Sequence, residues 1–155
     1  GNRRFLPETL EREIDLAKRH NQALSVLMVE IDGFRKLLEQ HGLGNAERVL
    51  RTLAGSLGEL SRVTDIAFRN EGDQFVLILS NTDKTGAHIM ARRIMDTAQT
   101  LCTHADDESS AARETLSLSI GLAVMSGTDS SSSVLERATK ALASARKRGG
   151  NLLHS

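Results

Sequence analysis

The sequence has no tryptophan, no tyrosine, a single cysteine, a single proline and no net charge. Each shortage closes off a class of function. With Cys102 alone, an internal disulfide is excluded, and the lack of a Cys/His ligand cluster argues against structural zinc. A reducing cytoplasm suits such a chain. Twenty basic residues cancel twenty acidic ones, so no global field steers the protein to nucleic acid or to an anionic membrane. A nucleic-acid module would also want aromatic rings for base stacking, and the two best suited are missing. Long apolar runs are absent too. The longest, residues 24–31, is broken by Ser25 and Glu30 and falls far short of the roughly 20 residues of a bilayer span. Gly1-Asn2-Arg3-Arg4 carries neither a signal-peptide core nor a start methionine, so the chain reads as a segment of a longer protein.

What is present is enough for one core. At 155 residues and 39% hydrophobic, residues 1–155 read as a single domain. Leu10, Ile14 and Ala17 recur at helical spacing within 7–20, and Pro7 suits the first turn. Residues 24–31 are apolar on both alternating faces, as in a strand covered on both sides. Val49, Leu50, Leu53, Leu57 and Leu60 predict a helix over 45–60. Segments 65–69 and 75–79 read as a hairpin around Gly72, and 84–103 as the longest helix. The polar stretch 104–113 reads as a solvated loop. Leu116, Leu118, Ile120, Leu122 and Val124 alternate with small residues, a strand pattern. Residues 128–133 cap a last helix carrying Val134, Leu135, Ala138, Leu142 and Ala145, closed by Gly149 and Gly150. No internal repeat is visible. The expected fold is an α/β (α+β) sandwich, a mixed, mainly antiparallel sheet flanked by helices.

Three acids stand where chemistry would need them. A two-metal phosphoryl-transfer site requires carboxylates from separate elements to converge on Mg²⁺, and Glu30, Asp32 and Asp73 lie at a strand end or in a tight turn. On spacing alone the blander reading, solvated turn residues, is the stronger of the two. Of His20, His41, His88, His104 and His154, none has a partner at metal-ligand spacing. Ser109-Ser110 and Ser130 to Ser133 read as loop and cap, and the four methionines as packing.

Glu30-Ile31-Asp32-Gly33-Phe34-Arg35 and Arg69-Asn70-Glu71-Gly72-Asp73-Gln74-Phe75 resemble the DxDxFK and RxGGDEF stretches of GGDEF domains, the diguanylate cyclases that condense two GTP molecules into cyclic di-GMP. Asn2-Arg3-Arg4-Phe5, Ser119-Ile120-Gly121, and Ala141-Leu142 with Ala145-Arg146 and Gly149-Gly150-Asn151 resemble three further segments of that family, in the same order. The resemblance implies that Glu30 stands for the first metal-binding Asp, one methylene longer, and Asp73 for the acid of metal binding and catalysis. Leu38 and Glu47 correspond to the Asn and Asp that read guanine. Leu38 has no hydrogen-bonding group, and an unpaired polar base edge costs roughly 1–3 kcal/mol, weakening GTP binding by about ten- to a hundredfold. Glu71 replaces the first Gly of the turn, putting bulk and negative charge where a triphosphate should approach; Gln74 replaces the next acid. Arg146 keeps the charge of a phosphate-contacting Lys, while Gly150 stands where a second basic residue is usual. Taken by itself, Arg146-Lys147-Arg148 is a solvated helix end complementing the helix dipole.

Arg62 and Asp65 form an Arg-x-x-Asp where the resembled family carries its inhibitory product site, and Arg93 aligns with an additional Arg that some members use there. Arginine forks onto a guanine edge or phosphate, and a carboxylate accepts from guanine N1 and its amine. The bland alternative is an exposed ion pair worth less than about 1 kcal/mol. The expectation is therefore a domain with little or no catalysis that binds cyclic di-GMP through Arg62, Asp65 and Arg93 and signals to neighbouring domains or a partner, with homodimerisation open. The rivals are a weak diguanylate cyclase, or a ligand-free or GTP-responsive domain regulating an attached phosphodiesterase. No cofactor is required on the first expectation, and Mg²⁺ only where GTP binds.

Overall fold

The computed structural model describes residues 3–104 and 114–155. After a short 3₁₀ turn at Arg3–Phe5, helix α1 spans Leu6–Arg19 and buries Leu6, Leu10, Ile14 and Ala17, the stripe its spacing predicts. Strand β1, Leu24–Ile31, is buried on both faces except at Glu30. Helix α2 spans Phe34–Leu60 and breaks direction at Gly42, whose φ of 82° only glycine adopts freely. It starts well before the expected residue 45, because the glycines at 42 and 44 mask the helical pattern of its first turns. β2 (Ile66–Arg69) and β3 (Gln74–Ser80) make the expected hairpin. Helix α3, Lys84–Ala98, is capped by Asp83 accepting from the Gly86 amide, and ends at Ala98 rather than at 103. The chain turns there, and Cys102 forms an isolated bridge with Thr115. β4 spans Leu118–Val124, and α4 spans Ser131–Lys147 behind a Ser130/Ser133 capping box. A strand absent from the sequence expectation, β5 at Leu153–His154, closes the chain. The predicted loop over 104–113 lies, after His104, outside the described residues.

The sheet order is β2-β3-β1-β4-β5. The pairs β1/β3, β1/β4 and β2/β3 are antiparallel and β4/β5 is parallel, which makes the sheet mixed and mainly antiparallel as expected. On one face Leu27, Val29 and Leu77 pack with Leu50, Leu53 and Leu57 of α2 and Ile94 of α3. On the other, Val26, Met28 and Ile78 pack with Leu10 and Ile14 of α1 and Val134 and Leu142 of α4. At Gly121 the backbone of α4 lies directly on β4: a Cβ there would come within 2.2 Å of the Ala138 carbonyl oxygen. This close approach sets the depth of α4, and with it the position of every residue α4 presents at the sheet end. No helix among the described residues is long and apolar enough to cross a membrane.

Candidate functional site

β1 is central, so its C-terminal end meets both neighbours at once. Glu30 pairs in register with Gln74 of β3 and Ser119 of β4, and Asp32 follows on the same side. At this end lies a cleft of ≈ 750 Å³ lined by Glu30, Asp32, Leu38, Asp73, Arg146 and Gly150 among others. The predicted acids thus gather, but they divide their work. Asp32 is tied into the fold: its carboxylate accepts from the Ser117 hydroxyl at 2.5 Å, the Ser119 hydroxyl at 2.6 Å and the Asn151 amide at 2.7 Å. Three donors thus already share the carboxylate that the sequence pattern groups with the metal-binding acids. The available signal was Ser117 and Ser119, two polar residues on one strand face opposite an acidic strand end.

Glu30 is engaged on both oxygens. Arg146 Nε lies 3.1 Å from Oε1, and Gln74 Nε2 donates to Oε2 at 2.6 Å. Arg146 is therefore not merely a solvated helix end. Asp73 lies close by. Burial raises its carboxyl, the charge of Glu30 raises it further, and together they bring it to about 6 against the backbone hydrogen bonds and Arg146, which lower it. Two carboxylates are the right kind of donor for Mg²⁺, and a cation approaching Glu30 would compete with Arg146 and Gln74 for its oxygens. Among the described residues, no group of three or more His, Cys, Asp or Glu converges as a metal site.

The remaining nucleotide-site positions separate. Leu38 lines the cleft while packing on the core. Glu47, Glu71 and Gly72 are exposed and lie outside its lining. Gly72 turns the hairpin at φ 57° and accepts from Arg69 at 3.1 Å. Gln74 sits behind Glu30, its own Oε1 accepting from Asn70 at 3.1 Å.

A second cleft, ≈ 400 Å³, opens between the α2–β2 turn and α3, and Arg62, Asp65 and Arg93 all line it. Asp65 is nearly covered, its side chain 3% exposed, and it accepts from the Arg62 backbone amide at 2.9 Å and from the Arg62 Nη2 at 3.1 Å. The guanidinium also donates to the Ser80 carbonyl at 2.7 Å and to the Thr82 hydroxyl at 2.6 Å. Arg62 is thereby held at the cleft's edge with about half its side chain exposed. Arg93 is exposed, and Ile89, half exposed, adds an apolar wall.

Spacing did not anticipate that His41 and His104 stack, with ring centroids 4.3 Å apart and planes 26° apart. Face-to-face rings keep their in-plane nitrogen lone pairs from converging, so the pair is packing rather than a chelate.

Comparison with known proteins accords with this geometry. The chain is 33% identical over 151 residues to the diguanylate cyclase DosC of Escherichia coli K12, covering 97% of this chain and 32% of that protein. It superposes with a TM-score of 0.89 on the active GGEEF domain of a diguanylate cyclase from Vibrio cholerae, at 25% identity over 99% of this chain and 95% of that one. The GGDEF domain of DgcB from Caulobacter crescentus, solved in complex with cyclic di-GMP, shares the fold with a TM-score of 0.91 at 21% identity, over 99% of this chain and 87% of that one. The family model described as diguanylate cyclase, GGDEF domain, matches residues 1–152, and the chain belongs to the GGDEF family.

Proposed function

We propose that this is a GGDEF domain with impaired catalysis that serves as a receptor for cyclic di-GMP at Arg62, Asp65 and Arg93. The carrying observation is the shared cleft: an Arg-x-x-Asp pair in the α2–β2 turn and an arginine of α3 border one cavity of ≈ 400 Å³, within the size range of ligand pockets. Guanidinium forks suit a guanine edge or a phosphate, and the Asp65 carboxylate, which Arg62 covers on both oxygens, suits guanine N1 and its amine when that pair opens to the ligand. Arg62 is pre-set for this by Ser80 and Thr82, which lowers the ordering cost of binding.

The cyclase cleft supports the other half of the proposal. Leu38 offers no hydrogen bond to a base, and Glu30 is engaged on both oxygens. Since the chain spans only a third of the length of the DosC relative, occupancy at Arg62 would be read by neighbouring domains or a partner protein. The test is calorimetric titration with cyclic di-GMP and, separately, with GTP and Mg²⁺. Saturable binding of cyclic di-GMP, abolished by Arg62→Ala, is the expected result. A silent wild type overturns the receptor, and GTP-dependent product lost in Asp73→Ala would make the domain a weak cyclase instead.

A further inference from the structure

Glu30 is 14% exposed, and a carboxylate so covered needs its oxygens satisfied. Both are, and by groups of its own chain: Arg146 Nε at 3.1 Å on Oε1 and Gln74 Nε2 at 2.6 Å on Oε2. Gln74 is itself oriented, because its Oε1 accepts from Asn70 Nδ2 at 3.1 Å, leaving only the NH₂ end to face Glu30. The register and the helix supply the two partners. Gln74 lies directly across the β1/β3 ladder from Glu30, and Arg146 projects from the last turn of α4. Glutamate has the reach to meet both.

A hard cation would ask for the same oxygens. Mg²⁺ and Mn²⁺ take carboxylate oxygens, and Mg²⁺ demands near-octahedral geometry. In this chain a guanidinium supplies the positive charge that the ion would bring, and an amide covers the other oxygen. We infer that Arg146 and Gln74 form an internal counter-ion lock on Glu30 that stands in place of a divalent cation and keeps the cleft from binding one. This rests on reading the cleft as an impaired cyclase site and is independent of the site at Arg62.

The experiment counts free Mn²⁺ by electron paramagnetic resonance as the folded chain is titrated. Arg146→Gln is expected to tighten Mn²⁺ binding by about tenfold, the worth of freeing one paired carboxylate. Gln74→Met, which changes no charge, should tighten it by a smaller factor, reporting release of Oε2 rather than a general field. Adding Glu30→Gln to either variant should cancel the gain. Wild-type binding as tight as that of both variants, or a gain that survives Glu30→Gln, overturns the lock. Circular dichroism checks the fold of each variant. Arg146→Lys keeps the charge without the guanidinium that lies against Oε1 and gives a second reading, expected between wild type and Arg146→Gln; no gain there and none in Gln74→Met also overturns the lock. A failed lock shows in the Mn²⁺ count with cyclic di-GMP affinity intact, whereas a failed receptor shows as lost cyclic di-GMP binding with the Mn²⁺ pattern intact.

Discussion

Asp32 and Asn151 stand 119 positions apart and are joined by a 2.7 Å hydrogen bond from the Asn151 amide to the Asp32 carboxylate. The same carboxylate takes both hydroxyls of Ser117 and Ser119. Gly150 lies so close that a Cβ on it would sit 2.9 Å from the Asp32 carboxylate. One acid thus fastens the end of β1, the approach to β4 and the turn into β5, and lines the cleft at that end of the sheet.

Asp32→Ala should therefore cost about 2–4 kcal/mol, since two hydroxyls and an amide lose a charged acceptor. Urea unfolding measures the loss. Hydrogen exchange should show Ile120, whose amide donates to the Leu152 carbonyl at 2.9 Å, losing protection before the centre of β1 does. Gly150→Ala should act in the same direction. It meets the carboxylate and must also adopt φ 74°, a conformation costing an L-residue about 1–2 kcal/mol.

Gly121→Ala is the sharper packing test. The new methyl would lie 2.2 Å from the Ala138 oxygen and 2.3 Å from the Leu142 nitrogen, both backbone atoms of α4. No rotamer relieves this, so the helix must lift off the sheet, at a cost of about 3 kcal/mol or more. A drop in thermal midpoint without loss of far-ultraviolet helix signal is expected. An unchanged midpoint would mean that α4 is seated more loosely than described.

The alternation over 116–124 and the two-sided apolar run of β1 were legible because strand periodicity survives in any sheet context. The start of α2 was not, since Gly42 and Gly44 look like punctuation, and β5 was too short to leave a pattern. Among the site residues, Glu30, Asp32 and Asp73 were recognisable as acids at strand ends. Their separate roles depend on which neighbours the register and α4 bring, namely Ser119 and Asn151 for Asp32, and Gln74 and Arg146 for Glu30. Arg62, Asp65 and Arg93 were found through family resemblance alone. That α3 carries Arg93 to the cleft edge is a property of the fold.

Acid should unfold the domain partly through Asp129. It is 7% exposed and accepts from the Ser126 amide at 2.8 Å, the Ser133 hydroxyl at 2.7 Å and Arg137. Burial would raise its carboxyl, but the hydrogen bonds from Ser126, Ser133 and Arg137, with the Arg137 charge, outweigh that and hold it at about 2. Its folded value lies below the unfolded one, so its contribution is fully present above about pH 4 and is lost as pH falls towards 2. Asp129→Asn should lower the stability at pH 7 and flatten its decline below pH 4, both read from urea midpoints across pH. An unaltered acid slope would remove Asp129 from the account.

The arginines of the second cleft should separate by what else they hold. Arg93 is exposed, and Arg93→Ala is expected to weaken cyclic di-GMP binding by about tenfold, the typical worth of one charge-assisted contact, without moving the thermal midpoint. Arg62 also bonds Asp65, Ser80 and Thr82, so Arg62→Ala should abolish binding and lower the midpoint slightly. Arg62→Lys distinguishes recognition from support. It keeps a charge near Asp65 but lacks the planar fork needed to meet a guanine edge or phosphate bidentately, so the fold should be largely restored while binding stays lost. If lysine restores affinity as well, Arg62 contributes a point charge rather than a shaped contact. The affinity should then fall with salt as surface charge pairs do, over a Debye length of about 10 Å at 0.1 M.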